Sequence, residues 1–232
     1  MLALLLIAGS ITLVIFIHQQ IKSYSLKAVM IKSVVSFFFL ATAIYGFYKQ
    51  PTILGPFITL GLLCGLLGDI WLGLKHVFPM HDRLLTYAGF LSFGIGHLFY
   101  MTGMIMQFFH HESWLYLIVP FLLAIIASLI NAFVLEKPMK LNYGKMKPTV
   151  IIYGILLFTM MLMSGCFSLM YHCRSLSLNI IFIGSILFTL SDLVLSGTYF
   201  GKGQHRPIDI IANYVLYYGG QYLIALSLLF IQ

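Results

Sequence analysis

The sequence predicts an all-α polytopic membrane protein with eight transmembrane helices, and three observations support this fold class. Hydrophobic residues make up 61% of the 232 residues and charged residues only 8%, whereas a soluble domain carries about a quarter charged residues. The apolar residues also run continuously instead of alternating, which disfavours a membrane β-barrel. Because the connections between the apolar runs are short, we expect residues 1–232 to form a single integral membrane domain.

Each apolar run is long enough to cross a bilayer, which takes about 20 mainly apolar residues in a helix. The first run stops shortly before the first basic residue, Lys22, and the second lies between Lys27 and Lys49. The polar segment "HVFPMHDR" separates the third run from the fourth, and "EKPMKLNYGKMKP" separates the fifth from the sixth. The seventh follows Arg174, and the eighth follows the last basic residue, Arg206. The eight predicted spans are residues 2–19, 27–48, 53–75, 84–109, 114–136, 148–171, 177–201 and 207–231.

Basic residues concentrate in the connections on one side of the predicted bundle. The connections after spans 1, 3, 5 and 7 hold most of the 13 Lys and Arg residues, namely Lys22, Lys27, Lys75, Arg83, Lys137, Lys140, Lys145, Lys147, Lys202 and Arg206. The opposite side holds Lys49 and Arg174, and Lys32 lies inside span 2. The positive-inside rule therefore predicts a cytoplasmic basic side with both termini outside (N-out/C-out). The net charge of +7 then suits the headgroups of anionic membrane lipids rather than a nucleic acid. In a bacterium, we expect the inner (cytoplasmic) membrane.

Two aspartates, Asp69 and Asp192, lie well inside predicted spans, although the chain has only six acidic residues. An aspartate near the bilayer centre costs about 2.5–3.5 kcal/mol on insertion scales, so such positions usually serve a function. At a rise of about 1.5 Å per residue, Asp69 lies about 9 Å and Asp192 about 14 Å from the cytoplasmic end of its helix. Lys32 lies about 8 Å deep on the same basis, and Tyr153 and Asn213 fall at similar depths. Polar groups on five helices are therefore predicted to share one layer.

Helical phase predicts that these groups point into the bundle. In span 3, Gly61 and Gly65 lie two turns and one turn before Asp69, and such a strip of small residues allows close contact with another helix. In span 7, four polar residues at helical spacing form one stripe, namely Ser185, Thr189, Asp192 and Ser196. Two other spans carry comparable sets, namely Asn213, Tyr217 and Gln221 in span 8 and His97 and Tyr100 in span 4.

Simpler roles compete with function at these positions. An intramembrane Ser or Thr usually only hydrogen-bonds a neighbouring helix, a single His is often a core residue, and an Asp with Lys32 can form a purely structural ion pair. Two aspartates in one layer with a lysine instead favour a functional site. The shared pattern small-Asp-x-x-Leu in "GDIWLG" and "SDLVLSG" also suggests a duplication of four helices, in which spans 3 and 7 are equivalent.

Five segments in spans 2 to 8 resemble the YhhN-like family, whose characterised members are lysoplasmalogenases. The segments are "MIKSVVSF", "LLGDIWLG", "FLSFGIGHLFYM", "GSILFTLSDLVLSGTYF" and "YYGGQYLIALS", in the order of the family. The resemblance implies that a lysophospholipid is the substrate and that its vinyl-ether bond is hydrolysed. The products would be a fatty aldehyde and glycerophosphocholine or glycerophosphoethanolamine. A member from an organism without plasmalogens needs another substrate.

The two aspartates also suit this chemistry by themselves. Protonation of the β-carbon of a vinyl ether leaves an oxocarbenium ion, to which water adds before the hemiacetal collapses. In a low-dielectric pocket, one carboxyl can supply the proton while the other stays ionised beside the cation, as in glycoside hydrolysis. We therefore expect Asp69 and Asp192 to be catalytic, without a metal or another cofactor. The residues expected to support them are Lys32, His97, Tyr100, Tyr153, Ser191, Asn213, Tyr217, Tyr218 and Gln221.

Two other functions fit parts of the pattern. Buried carboxylates also serve proton-coupled transporters of small molecules or lipids, but Pro56 and Pro120 are the only prolines well inside spans that could break a helix. A zinc-dependent lipid hydrolase is disfavoured because His97 alone lies deep in a span, so that three imidazoles cannot easily converge. Six other histidines lie near connections on both faces, namely His76, His81, His110, His111, His172 and His205. The chain has three cysteines, and their spacing is not that of a metal site: Cys64, Cys166 and Cys173.

Overall fold

The computed structural model describes residues 1–110, 112–201 and 206–231, and within these ranges the chain forms helices and no strand. The long helices are α1 (Leu2–Lys22), α2 (Leu26–Lys49), α3 (Leu54–Val77), α4 (Asp82–Phe108), α5 (Leu115–Leu129), α6 (Lys147–Met170), α7 (Leu176–Phe200) and α8 (Pro207–Leu226). A π-helical turn, Ile130–Val134, continues α5. Short 3₁₀ turns lie at Pro79–His81, Gly144–Met146 and Ser227–Phe230. The all-helical class predicted from the sequence is confirmed.

Seven of the described helices are long and apolar enough to cross a membrane, as in an integral membrane protein. Helix α8 is less hydrophobic because Asp209, Asn213 and Gln221 accompany four tyrosines along its length. The predicted spans agree with the helices to within a few residues. The eighth crossing and the N-out/C-out orientation remain predictions. Three residues used in the sequence analysis lie outside the described ranges, namely His111, Lys202 and His205.

Six helices form a closed ring, in which neighbours in contact follow the order α2, α3, α4, α6, α7, α8 and back to α2. Helix α1 packs outside this ring against α2 and α8, and α5 packs outside it against α6. The most extensive contacts join α3 to α4 and α7 to α8, which is the arrangement expected of a duplicated four-helix unit. Side chains from six helices therefore converge in the interior of the ring.

Glycines on α3 allow its close contact with two neighbouring helices. A Cβ atom at Gly61 would lie 2.2 Å from Cε1 of Tyr100 on α4, and one at Gly65 would lie 2.8 Å from Nε2 of Gln221 on α8. The prediction that this glycine strip faces protein is confirmed. Because Asp69 follows Gly65 by one helical turn, it points to the same side, into the ring.

Aromatic contacts join helix ends on the side of the bundle where the α5–α6 loop (residues 135–146) lies. This side is here called the basic end. The ring centroid of His76, in the last turn of α3, lies 6.1 Å from that of Tyr199 near the end of α7. Phe200 lies 4.9 Å from Tyr143 of the loop by the same measure. The loop therefore packs against the end of α7, the helix that carries Asp192.

Candidate active site

A cavity of about 30 Å³ lies inside the ring, and all six ring helices contribute to its wall. Both intramembrane aspartates, Asp69 and Asp192, lie on this wall. The other three members of the predicted layer, Lys32, Tyr153 and Asn213, line it as well. The volume holds about two water molecules and is far too small for a lipid. A larger ligand therefore requires wall side chains to move.

Asp69 is buried, and its carboxylate is bonded at both oxygens. Lys32 Nζ lies 2.9 Å from Oδ1. The other oxygen, Oδ2, accepts hydrogen bonds from Ser36 Oγ at 2.5 Å and from Tyr217 OH at 2.8 Å. Lys32 and Ser36 are one turn apart on α2, so both reach the same carboxylate. A buried charge needs such a partner and such donors to offset its loss of hydration.

A chain of hydrogen bonds leads away from Asp69 between α8 and α4. Tyr217 donates to Asp69 and accepts a hydrogen bond from Gln221 Nε2 at 3.3 Å. Gln221 Oε1 in turn accepts from Tyr100 OH at 3.1 Å. Tyr217 lines the cavity, whereas Tyr100 and Gln221 lie behind its wall. Tyr217 therefore bonds Asp69 directly, whereas Gln221 and Tyr100 are connected to Asp69 through Tyr217.

Asp192 has a different environment, and its side chain is only partly buried. Tyr153 OH donates a hydrogen bond to its Oδ2. No Lys, Arg or His of the described residues lies within ion-pair distance of Asp192. Its neighbours on the wall include Phe90 and Leu195. The two carboxyls thus share one cavity but differ in their surroundings, because Asp69 is paired with a cation whereas Asp192 bonds a neutral tyrosine.

Three other predicted residues have mainly structural contacts. Asn213 lines the cavity, but its Nδ2 donates to the backbone carbonyl of Ser191 at 2.8 Å and so ties α8 to α7. The hydroxyl of Ser191 donates to the Phe188 carbonyl of its own helix, and it also interacts with the carboxyl of the next residue, Asp192. The Tyr218 hydroxyl lies 3.2 Å from Ser36 Oγ. The same hydroxyl donates to the backbone carbonyl of Lys32 at 3.4 Å, so Tyr218 lies beside two residues that bind Asp69.

His97 is buried behind the cavity wall rather than on it. Its ring centroid lies 5.0 Å from that of Phe188 and 5.9 Å from that of Tyr153. Neither ring nitrogen has a hydrogen-bond partner within the described residues. His97 thus packs against the tyrosine that binds Asp192, and it contacts neither carboxyl. Over the same described ranges, no three His, Cys, Asp or Glu side chains lie close enough to hold a metal ion.

The polar residues on one face of α7 have two kinds of surroundings: some contact a neighbouring helix, and others line a second cavity. Ser185 Oγ lies 3.1 Å from Ser164 Oγ on α6, which is the helix-linking role expected of an intramembrane serine. Ser196 instead lines a second cavity of about 30 Å³, whose wall also includes Asp192 and Tyr153. Phe200 belongs to this wall too. The second cavity therefore extends from Asp192 toward the basic end.

Tyr199 lines both cavities and lies at the basic end of the site. The ammonium of Lys75 lies 3.6 Å from the centroid of the Tyr199 ring, a cation–π contact. Lys75 Nζ also lies 3.5 Å from Asp82 Oδ1. The charge pattern places Lys75 in a connection, whereas the structure has it buried in the last turn of α3. Its charge therefore lies behind a wall residue of the site rather than on a loop.

Several site residues were not predicted, although helical spacing carries a signal for most of them. Ser36 follows Lys32 by one turn, and Tyr199 follows Asp192 by two turns, so each shares a face with a predicted residue. Phe90 also lines the cavity. An aromatic residue does not stand out in an apolar helix, so composition alone gives no reason to select Phe90.

The evidence for the family of this chain comes from nearly the whole sequence and not from the site alone. A sequence model of the YhhN family matches residues 23–228. This range includes every residue of the cavity wall and all the segments on which the resemblance rests. Searches of curated proteins and of solved structures found no match. Because the family match spans most of the sequence, the chain belongs to the YhhN family.

Proposed function

We propose that this protein hydrolyses the vinyl-ether bond of a lysoplasmalogen inside the membrane and releases a fatty aldehyde and a glycerophospho-alcohol. The observation that carries the proposal is the pair of carboxyls on one cavity wall, one beside an ammonium group and the other beside neutral groups. Membership of the YhhN family and the apolar helices agree with a membrane enzyme of this kind. The cavity supports the proposal further because it has room for the water that hydrolysis consumes.

The unequal surroundings support a different proposed role for each carboxyl. Asp69, paired with Lys32, is the anion that stabilises positive charge on the substrate and accepts a proton from water. Asp192, which has no cation partner among the described residues, is the group that protonates the β-carbon. Tyr153 donates to Asp192 at Oδ2, so in this proposal the other oxygen, Oδ1, carries that proton.

The reaction proceeds in three balanced steps. Asp192 gives its proton to the β-carbon, and the π electrons of the double bond form the new C–H bond, leaving an oxocarbenium ion stabilised by the Asp69 carboxylate. Water adds to the α-carbon and loses a proton to Asp69, which gives a hemiacetal. The bond between the α-carbon and the glycerol oxygen then breaks. Asp69 returns its proton to the leaving oxygen while Asp192 takes the hydroxyl proton of the hemiacetal, so both carboxyls regain their starting state.

Aldehyde release by the purified protein in detergent tests this proposal. We expect release from a vinyl-ether lysophospholipid but not from the alkyl-ether or ester analogue, and slower turnover in D₂O because a proton is transferred to carbon. Asp69→Asn and Asp192→Asn should each lower kcat at least about 100-fold, the usual contribution of acid–base and charge stabilisation. Asp209→Asn, at a more exposed carboxylate in the first turn of α8, is the matched control. Absence of aldehyde from every vinyl-ether substrate would refute the proposal.

A proton-coupled transporter is the alternative, and the enclosed Lys32–Asp69 ion pair is the feature that favours it. Transport needs a sealed membrane, whereas hydrolysis in detergent does not. Substrate-driven proton uptake into proteoliposomes, without aldehyde in either preparation, would support the transporter.

A further inference from the structure

A second, larger concave surface lies beside the carboxylate cavity, on the outside of the ring. This α4–α6 groove has a volume of about 350 Å³. Its lips and floor are formed by Tyr87, Leu91, Gly94 and Leu98 of α4 and by Ile152 and Leu156 of α6. Leu91 and Ile152 are 66% and 64% exposed, which means that the groove opens to the lipid side of helices that can span a membrane.

Only one layer of side chains separates the groove from the carboxylate cavity. Phe90 and Tyr153 line both spaces, and their ring centroids are 5.1 Å apart. The hydroxyl of the same tyrosine donates a hydrogen bond to Asp192. A displacement of the Phe90 ring, which is partly exposed, would therefore join the lipid side directly to the carboxyl.

The groove is polar at one end and apolar along the rest of its length. At the basic end, Arg83 Nη2 donates a hydrogen bond to Tyr87 OH at 3.3 Å, and Thr149 lies on the opposite lip. From Leu91 to Leu98 the lining side chains are hydrocarbon. Tyr87 and Leu98 are about 16 Å apart along the helix. The gradient from a cation to hydrocarbon matches a single-chain lipid whose headgroup carries a phosphate.

We propose that the α4–α6 groove binds the hydrocarbon chain of a lysophospholipid and admits it from the bilayer past Phe90 to the carboxylate cavity. The headgroup phosphate lies near Arg83, and the chain extends toward Leu98. Arg83 precedes Phe90 by about 10 Å along α4, so the bond next to the glycerol lies near Phe90 and Tyr153. This inference rests on the proposed function for its substrate, and the groove is a site separate from the carboxyls.

Photolabelling identifies the occupant independently of catalysis. The probe is a non-hydrolysable alkyl lysophospholipid with a diazirine near the end of its chain, added to the protein in nanodiscs of diacyl lipid. We expect labels to concentrate on residues 95–98 and 152–156, and an excess of unlabelled alkyl lysophospholipid to remove them. Labels spread evenly over the lipid-facing helices, or removed equally well by added diacyl phospholipid, would overturn the proposal.

A groove-filling variant tests the link to turnover. An added Cβ at Gly94 meets one atom, Leu156 Cδ1, at 3.2 Å, so Gly94→Leu fills the groove without a backbone clash. We expect kcat/KM to fall about tenfold for a long-chain vinyl-ether lysophospholipid, the effect of about two buried methylene groups, and to change little for a short-chain one. Gly219→Leu is the matched control, because a Cβ there meets only Leu187 Cδ1 at 3.6 Å.

The two proposals fail in different ways. Labelling of the groove without aldehyde from any vinyl ether supports the lipid site and refutes the proposed hydrolysis. Aldehyde release with equal effects of Gly94→Leu and Gly219→Leu on both chain lengths supports hydrolysis and refutes the groove.

Discussion

The ammonium of Lys32 lies 2.9 Å from Oδ1 of Asp69, and both side chains are almost fully buried. Removing one member of a buried ion pair leaves an uncompensated charge, which costs about 3–5 kcal/mol. We therefore predict that Lys32→Met lowers the free energy of unfolding by about that amount and also abolishes activity. The double variant Lys32→Met/Asp69→Asn should regain most of the stability but none of the activity. Thermal unfolding in detergent and aldehyde release measure the two effects.

Lys27→Met provides the control, because Lys27 is exposed in the first turn of the same helix. It should retain stability and turnover. If the double variant were as unstable as Lys32→Met alone, the ion pair would not be the reason for the loss.

A second prediction concerns the hydrogen-bond chain that ends at Asp69. Tyr217→Phe removes a donor to a charged group, worth about 1.5–3 kcal/mol, so kcat/KM should fall about tenfold or more. Gln221 acts through the hydroxyl of Tyr217, and Gln221→Leu should therefore add little in the Tyr217→Phe background. Tyr48→Phe, on an exposed ring, should have no effect. Strictly additive losses in the double variant would show that Gln221 acts by another route.

A third prediction follows from the contact between α3 and α4. Gly61→Ala would put a methyl group 2.2 Å from the ring of Tyr100, and overpacking of this kind costs about 1–3 kcal/mol. Gly219→Ala, whose added Cβ would lie at an ordinary contact distance of 3.6 Å from Leu187 Cδ1, should change stability by less than about 0.5 kcal/mol. The melting temperatures of the two variants in the same detergent give the comparison. Equal melting temperatures would mean that the α3–α4 contact can widen freely.

The fourth prediction concerns pH and the α5–α6 loop, where Glu136 binds both Lys147 Nζ at 2.5 Å and the Tyr143 backbone N–H at 3.3 Å. The hydrogen bond from Lys147 lowers the pKa of Glu136 below its ordinary value. A lowered pKa stabilises the loop above the unfolded-state pKa, about 4.3. That contribution is lost as pH falls through the folded-state pKa.

Hydrogen exchange in residues 137–143, expressed as protection factors, measures this effect. Protection should stay constant between about pH 7 and pH 5 and fall below about pH 4. Glu136→Gln should show lower protection at neutral pH and a flat profile. A wild-type profile that falls between pH 7 and pH 5 would point to a different titrating group.

The polar layer of the site could be predicted because a buried charge is costly and helical spacing is regular. Those two facts select Asp69, Asp192 and Lys32 and direct them inward. They do not decide which aspartate binds Lys32, because that depends on the order of the helices in the ring. The same applies to His97, which lies behind the wall, and to Ser191, whose hydroxyl bonds its own helix. Small rotations of a helix about its axis, set by contacts between distant parts of the chain, decide such positions.

The two carboxyls also share a relationship that matters while the protein is being made. Each finds a partner on the helix that precedes its own, since Lys32 of α2 binds Asp69 of α3 and Tyr153 of α6 binds Asp192 of α7. A helix with an isolated charge resists leaving the translocation channel for lipid. As a hairpin, α2 and α3 can enter lipid with their opposite charges already neutralised, before α8 has been synthesised. Biogenesis and turnover then depend on the same pair, so Lys32→Met should reduce the amount of inserted protein as well as its activity.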